Sequence, residues 1–367
     1  MEKVKVKNIS DLIESIAPLQ LQEHYDNSGL LVGSPETEVT GILLCLDSTE
    51  EVVDEAIRLG CNLIIAHHPI IFSGLKKING KNYVERAVIK AIKNNICIYA
   101  AHTNLDNIIG GVNTKIAEKL GLINTRILKN KSDILKKLVT FCPVSKSEKL
   151  REALFKAGAG HIGNYDSCSF NLEGIGTFRA NDLSNPFVGN KNQLHEEREI
   201  RIELIFNAFH QSKIINALIE NHPYEEVAYD IYKIENNHPS IGSGIVGELE
   251  KPMSETDFFG QLKKIMKVPS IKHTTFLGKE IRKVAICGGS GSFLIKDSIS
   301  SKSDVYITSD IKYHEFFDSE GEIIIADIGH FESEQFTLEI FYEVIKEKFN
   351  TFAIRFSDIK TNPVNYF

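Results

Sequence analysis

Asn62-Leu63-Ile64-Ile65-Ala66-His67-His68-Pro69 is an apolar run that ends on two histidines and a proline. A strand without polar residues is covered on both faces, as in a parallel sheet flanked by helices. In such sheets ligands collect in the crevice beyond the carboxyl ends of the strands, and His67 and His68 fall there. Neighbouring strand residues point to opposite faces, but Pro69 enforces an extended turn in which both rings can swing into the crevice. Taken alone, the dipeptide also fits two loop histidines bonded to backbone carbonyls.

The segments around this run alternate in the same way. Residues 9–17 read as a short helix and 40–46 as a strand. Ser48 or Thr49 can cap a helix over 50–59, and Gly60 ends it. A helix over about 83–93 leads into a strand over 96–101. The last third has strands at 283–287, 304–308, 322–328 and 351–356. Helices are expected after the run Gly288-Gly289-Ser290-Gly291-Ser292-Phe293, near 313–317, and from about Ser333, where Phe336, Leu338, Ile340, Phe341 and Val344 form an apolar face. Repeated strand-helix-strand units give a largely parallel α/β sheet.

The middle third differs. Strands are expected at 138–144, 198–206 and 227–234, with helices over 147–157 and around Ile214, Ile215 and Leu218. The strand at 198–206 alternates strictly, so one face is wet. Two β-α-β units with a half-exposed sheet predict a ferredoxin-like α+β domain. The fold class expected is α/β, with core halves at residues 1–130 and 239–367 and the insert at 131–238.

The 367 residues are 42% hydrophobic and 25% charged, with a net charge of -7. That balance argues against a chain-wide electrostatic grip on nucleic acid. No stretch approaches the roughly 20 apolar residues of a membrane span, and Met-Glu-Lys-Val-Lys-Val-Lys-Asn has no signal-peptide core. The expectation is a cytoplasmic protein. The cysteines, at 45, 61, 97, 142, 168 and 287, form no C-x-x-C pair, and scattered thiols in apolar runs read as structural.

Two further groups join the histidine pair. Asp106, in His102-Thr103-Asn104-Leu105-Asp106, follows a second apolar strand; alone it also fits an Asx-turn or helix cap. His330 and Glu334 follow a third, and on a helix they share one face at i and i+4. Together His67, His68, Asp106, His330 and Glu334 make a set for divalent ions. Three neutral imidazoles and two carboxylates carry -2 against +4 for two ions, which leaves positive charge for hydroxide and a phosphorylated substrate. Five side chains are few for two ions, so a bridging group is expected. Paired ions about 3.5–4 Å apart lower the pKa of bound water towards 7. Mixed N and O donors suit zinc, iron, manganese or nickel alike. Asp310 and His314, in Thr308-Ser309-Asp310-Ile311-Lys312-Tyr313-His314, are candidates for proton transfer or for support of the ligands, and equally fit helix-capping and surface residues. The glycine run at 288–291 fits either an anion-binding loop or a plain turn. The remaining histidines read as structural or surface residues.

The motifs Ala66-His67-His68-Pro69-Ile70-Ile71-Phe72, His102-Thr103-Asn104-Leu105-Asp106, Gly288-Gly289-Ser290-Gly291, Thr308 to His314 and Gly329-His330-Phe331-Glu332-Ser333-Glu334 occur in this order. They resemble the Nif-three-like family, whose members are described as GTP cyclohydrolase I type 2 homologues. Asp26-Asn27-Ser28-Gly29-Leu30 also fits, although the family usually has Trp where this chain has Tyr25. The resemblance implies a dinuclear metal centre at the same five residues, and a toroidal homohexamer with sites facing an inner cavity. It also implies a middle insert similar to PII and CutA proteins. The implied chemistry is hydrolytic opening of the guanine imidazole ring of GTP, with release of formate and a dihydroneopterin triphosphate.

The function expected is therefore a two-metal hydrolase of a nucleotide or related phosphorylated heterocycle, with His314 and nearby His102 supplying or relaying a proton. The rival expectation is a metal-binding regulatory or assembly protein whose insert senses a small ligand without turnover.

Overall fold

The strand that carries the histidine pair forms at Leu63–Ala66, with every residue buried, because a run of branched aliphatics suits a sheet covered on both faces. A computed structural model describes residues 3–350 and 352–366 of the chain. Met1, Glu2, Phe367 and Thr351, the first residue of the last expected strand, lie outside the described residues. By contact the chain divides into two compact units, one of residues 1–130 and 240–367, the other Lys131–Pro239.

The first unit is mixed α/β and holds two sheets. In one, the strands lie in the order Gly29–Val32, Cys97–Ala100, Leu63–Ala66, Ile42–Cys45 and Ile354–Phe356. All pairings are parallel except that of Gly29–Val32. The helices follow local signals. Thr49 Oγ1 accepts a hydrogen bond from the Val52 amide (3.4 Å) to start Glu50–Leu59, and Gly60 ends it in the left-handed region at φ 68°. The Asn82 side chain likewise caps Tyr83–Lys93. These helices bury Val52, Val53, Ala56, Ala87, Val88 and Ala91 against the sheet.

In the other sheet the order is Lys272–His273, Ile324–Asp327, Val305–Ser309, Ile281–Ser290, Gly242–Met253 and Leu122–Asn130. Its centre, Ile281–Ser290 to Ile324–Asp327, is parallel, and its flanks are antiparallel. The two halves of the sequence exchange strands: Ile354–Phe356 extends the first sheet and Leu122–Asn130 the second. Two local expectations change. Gly288 and Gly289 belong to the strand Ile281–Ser290 instead of a loop. The helix expected from Ser333 is two helices, His330–Glu334 and Thr337–Lys348, and the apolar face falls on the second.

The second unit runs strand, helix, strand, strand, helix, strand. Its antiparallel sheet has the order Phe170–Arg179, Leu194–Asn207, Leu135–Pro143, Tyr229–Lys233. Leu150 and Leu154 of the helix Ser147–Lys156, with Ile214 and Leu218 of Gln211–Asn221, pack on Leu138, Ile202, Leu204 and Phe206. Phe170–Arg179 has no counterpart in the sequence reading. No disulfide links the six cysteines.

Ile64 is fully buried in the strand that ends on the histidines. Ile64→Ala is expected to lower stability by about 2–5 kcal/mol, read as a fall in the urea midpoint; an unchanged midpoint would contradict this packing.

Candidate metal centre

All three expected strand ends deliver their side chains to one place. His67 and His68 leave Leu63–Ala66, Asp106 ends a short turn of helix at Thr103–Asp106, and His330 and Glu334 open and close the helix His330–Glu334. The two oxygens of Glu334 face two different sets of donors. Oε2 lies 2.8 Å from His68 Nε2 and 3.1 Å from His330 Nε2. Oε1 lies 3.6 Å from His67 Nε2, which is 3.8 Å from Asp106 Oδ1. His68 and His330 bring their Nε2 atoms within 3.3 Å of each other.

Each imidazole is aimed by a partner on its far nitrogen. His67 Nδ1 donates to the Ala101 carbonyl (2.9 Å), His68 Nδ1 to Asp47 (2.8 Å), His330 Nδ1 to Asp310 (2.6 Å) and His102 Nδ1 to Asp26 (2.8 Å). Acceptors behind metal-binding imidazoles fix the tautomer and raise ligand basicity. They are themselves held. Asp26 accepts from the Thr103 amide at 3.0 Å and its hydroxyl at 2.5 Å, and Asp47 Oδ2 accepts from Thr361 at 2.6 Å. Asp310 adopts a left-handed backbone at φ 56°, an unfavourable conformation for a residue with a Cβ.

Two buried atoms decide what the cluster can take. His67 Nε2 and Asp106 Oδ1 have no hydrogen-bond partner. Leaving such atoms unpaired costs about 1–3 kcal/mol each, and a cation between them removes that cost. The other carboxylate oxygen of the cluster and its imidazoles also pair acceptor atoms, so a proton or a cation must stand between them. Burial on its own would lower the His68 pKa, but hydrogen bonds to Asp47 and Glu334 outweigh it and lift the ring to about 9. In the same way Asp310 and Glu334 outweigh burial at His330 and lift it to about 11. The two carboxylates of the cluster move in opposite directions. Burial raises Asp106, whereas at Glu334 the surrounding imidazoles overcome burial and hold the pKa well below the usual carboxylate range.

His67, His68 and His102 each bring a ligand atom within 4.8 Å of the other two, as do His68, His330 and Glu334. Both sets fit a divalent cation in donor type. His102, expected as a proton relay, thus stands beside His67 and His68, within 4.8 Å of both. His314 is not brought to the cluster. It is exposed on the 3-10 turn Tyr313–Ser319, with its ring against Tyr313 and Phe317, and it does not line the cavity above the donors. The sequence reading missed Asp47, although it stands two residues past the strand Ile42–Cys45 and so obeyed the same strand-end rule.

The cavity has a volume of about 630 Å³. Tyr25, Phe72, Phe293 and Tyr366 line it with aromatic surface, and Lys272, paired with Asp327 at 2.6 Å, is the one Lys or Arg among its described lining residues. Gly289 forms part of the wall. It sits at φ 66°, and a Cβ there would collide with Glu334 Oε1, so the glycine makes room for the carboxylate. The charge expected from five ligands also changes: Asp26, Asp47 and Asp310 add three negative charges to the two of Asp106 and Glu334.

The Duf34/NIF3 (NGG1p interacting factor 3) family model matches residues 4–363. The chain belongs to this family. A relative from Halalkalibacterium halodurans, named GTP cyclohydrolase 1 type 2 homolog, is 38% identical over 365 residues, 98% of each chain. The fold matches a Bacillus cereus protein related to NIF3 with a TM-score of 0.84 at 39% identity, and a Staphylococcus aureus protein with 0.80 at 29%; both alignments cover 100% of both chains. The resemblance read from the motifs is therefore borne out.

Asp310→Asn keeps the shape behind His330 but removes the charge, and is expected to weaken divalent-metal binding about 10- to 100-fold. Gly289→Ala should go further and lower metal content by displacing Glu334. Metal analysis after equilibrium dialysis checks both. Full metal content in the alanine variant would show that Gly289 does not make room for the ligand.

Proposed function

We propose that this NIF3-family protein is a dinuclear-metal hydrolase acting on a nucleotide or related phosphorylated heterocycle. The observation that carries the reading is the divided Glu334 carboxylate, with one oxygen toward His67 and Asp106 and the other toward His68 and His330. Such a carboxylate suits the bridge between two ions. His67 and Asp106 would hold one and His68 and His330 the other. The metal stays open among zinc, iron, manganese and nickel, because imidazole and carboxylate donors suit them all. When bound, the ions would supply Lewis acidity and lower the pKa of water.

The chain's own residues do the rest. Asp47 and Asp310 orient His68 and His330 and keep their Nε2 lone pairs on the centre. His102, backed by Asp26, is the residue placed to hold or pass a proton beside the ligands. Tyr25 and Phe72 present exposed ring surface at the cavity, suited to a planar heterocycle. Five nearby carboxylates offset two divalent ions, so a phosphate gains little from the net charge of the centre, and Lys272 is the cation available to it. The relatives' name suggests GTP as the substrate, and by the family resemblance its imidazole ring would be opened with release of formate. The same reading includes the homohexamer. It takes the unit Lys131–Pro239 as an inserted ferredoxin-like, PII- or CutA-like domain, supported by its strand order and its two helices on one sheet face. A regulatory role without turnover is the second reading, favoured by the separate cavity in that unit.

GTP incubated with metal-loaded protein is expected to release formate, and protein that holds two ions per chain yet releases none would remove the substrate assignment. Glu334→Gln should lose both metal content and formate release. Retention of two ions by this variant would refute the bridging role.

A further inference from the structure

The second unit holds a cavity of its own, about 570 Å³ in volume, within the size range of small-molecule sites. Its chemistry comes from the strand Leu194–Asn207. Ile202, Leu204 and Phe206 of that strand pack toward the helices, so Glu199, of opposite parity, points to the other face. Glu199 is nevertheless buried, with 9% of its surface exposed. Its Oε1 accepts a hydrogen bond from the Tyr224 hydroxyl at 2.8 Å. Its Oε2 accepts none from the described residues and lies against Gly176, where an added Cβ would collide with it. The chain has thus left room for a carboxylate oxygen without giving it a partner.

Among the described residues no cation is paired with this group. The neighbouring ring of His222 accepts from the Tyr224 amide on Nδ1 (3.1 Å), so its proton is on Nε2, donated to the Phe141 carbonyl (2.8 Å), and the ring is neutral. Arg201, two residues along the same face, is paired with Glu203 at 2.9 Å. Tyr224, bonded to the carboxylate, belongs to a group of aromatic rings that line the cavity. Tyr224 lies 6.0 Å from Phe178 and 6.3 Å from Phe187, centroid to centroid. Four glutamates line the cavity against two arginines. A carboxylate oxygen with a spare acceptor at a cavity wall is free to take a hydrogen bond from a ligand, and aromatic faces attract organic cations.

We propose that this cavity binds a small organic cation, a primary ammonium on an apolar or aromatic body. The N–H donors would engage Glu199 Oε2, and the body would rest on Phe178, Phe187 and Tyr224. The site is separate from the metal centre, and the proposal holds whether or not that centre turns over a nucleotide.

Benzylamine serves as the probe, with benzoate and benzyl alcohol as the anionic and neutral counterparts of the same size. Saturation-transfer NMR and calorimetry on the full chain should show benzylamine binding about tenfold or more tighter than either, the scale of one charge-assisted hydrogen bond. Glu199→Gln should remove that preference. The carboxylates of the metal cavity could also attract an amine, so an unchanged preference in Glu199→Gln overturns the site. Equal or stronger binding of benzoate overturns it too, as does the absence of any binding, the result expected if a second copy of the chain covers the cavity. Should Glu199→Gln fail to fold, Tyr224→Phe keeps the ring and the carboxylate and must retain the selectivity for the amine; loss of selectivity there refutes the proposal.

Discussion

The buried carboxylate of Glu334, placed among imidazoles from the other end of the chain, is the constraint on which the first unit turns. A lone carboxylate cannot be buried at tolerable cost, so Glu334 demands positive partners, and His68 and His330 supply them at 2.8 and 3.1 Å. Those rings in turn would point at random without Asp47 and Asp310 behind them. The arrangement therefore extends outward in shells: a carboxylate, then imidazoles, then further carboxylates, then hydroxyls and amides. Each shell removes the cost created by the one inside it. Among the described residues of the cluster, His67 Nε2 and Asp106 Oδ1 are left with their cost unmet, and a cation between them would meet it.

Much of this could be read from sequence because one rule governs it. An apolar run that ends in His or an acid places chemistry at a strand's carboxyl end, and His67, His68, Asp106, His330 and Glu334 all obey it. The same rule was too permissive for His314. A turn after Asp310 carries its ring to the outside, where it packs on Tyr313 and Phe317. It was also applied too narrowly, since Asp47 qualifies equally; a single acid after a strand looks the same whether it caps a helix or supports a histidine. Gly288 and Gly289 read as a loop because glycine usually breaks strands. They stand inside one here: Gly289 leaves space for Glu334, and Gly288 packs closely on Val112 and Ile116.

The strands that were missed had weak patterns for identifiable reasons. Phe170–Arg179 has glycines at 174 and 176 that interrupt its alternation, and its residues are exposed on both faces. Gly242–Met253 mixes glycine with Glu248, Glu250 and Lys251. The exchange of Ile354–Phe356 and Leu122–Asn130 between the sheets leaves no local trace, because pairing partners are a tertiary property. These strands tie the halves together: Ile354–Phe356 completes the sheet that bears His67 and His68, and just beyond it Ser357 bonds Glu55 and Thr361 bonds Asp47.

That order of assembly has a biosynthetic consequence. A chain leaving the ribosome owns His67 and His68 some 266 residues before Glu334 exists, and Thr361 emerges later still. Until then the two imidazoles wait at the tip of an unfinished sheet, without the carboxylate that faces them in the finished protein. The cluster is complete only with the closing segment, so its geometry is set when translation finishes and not when it starts.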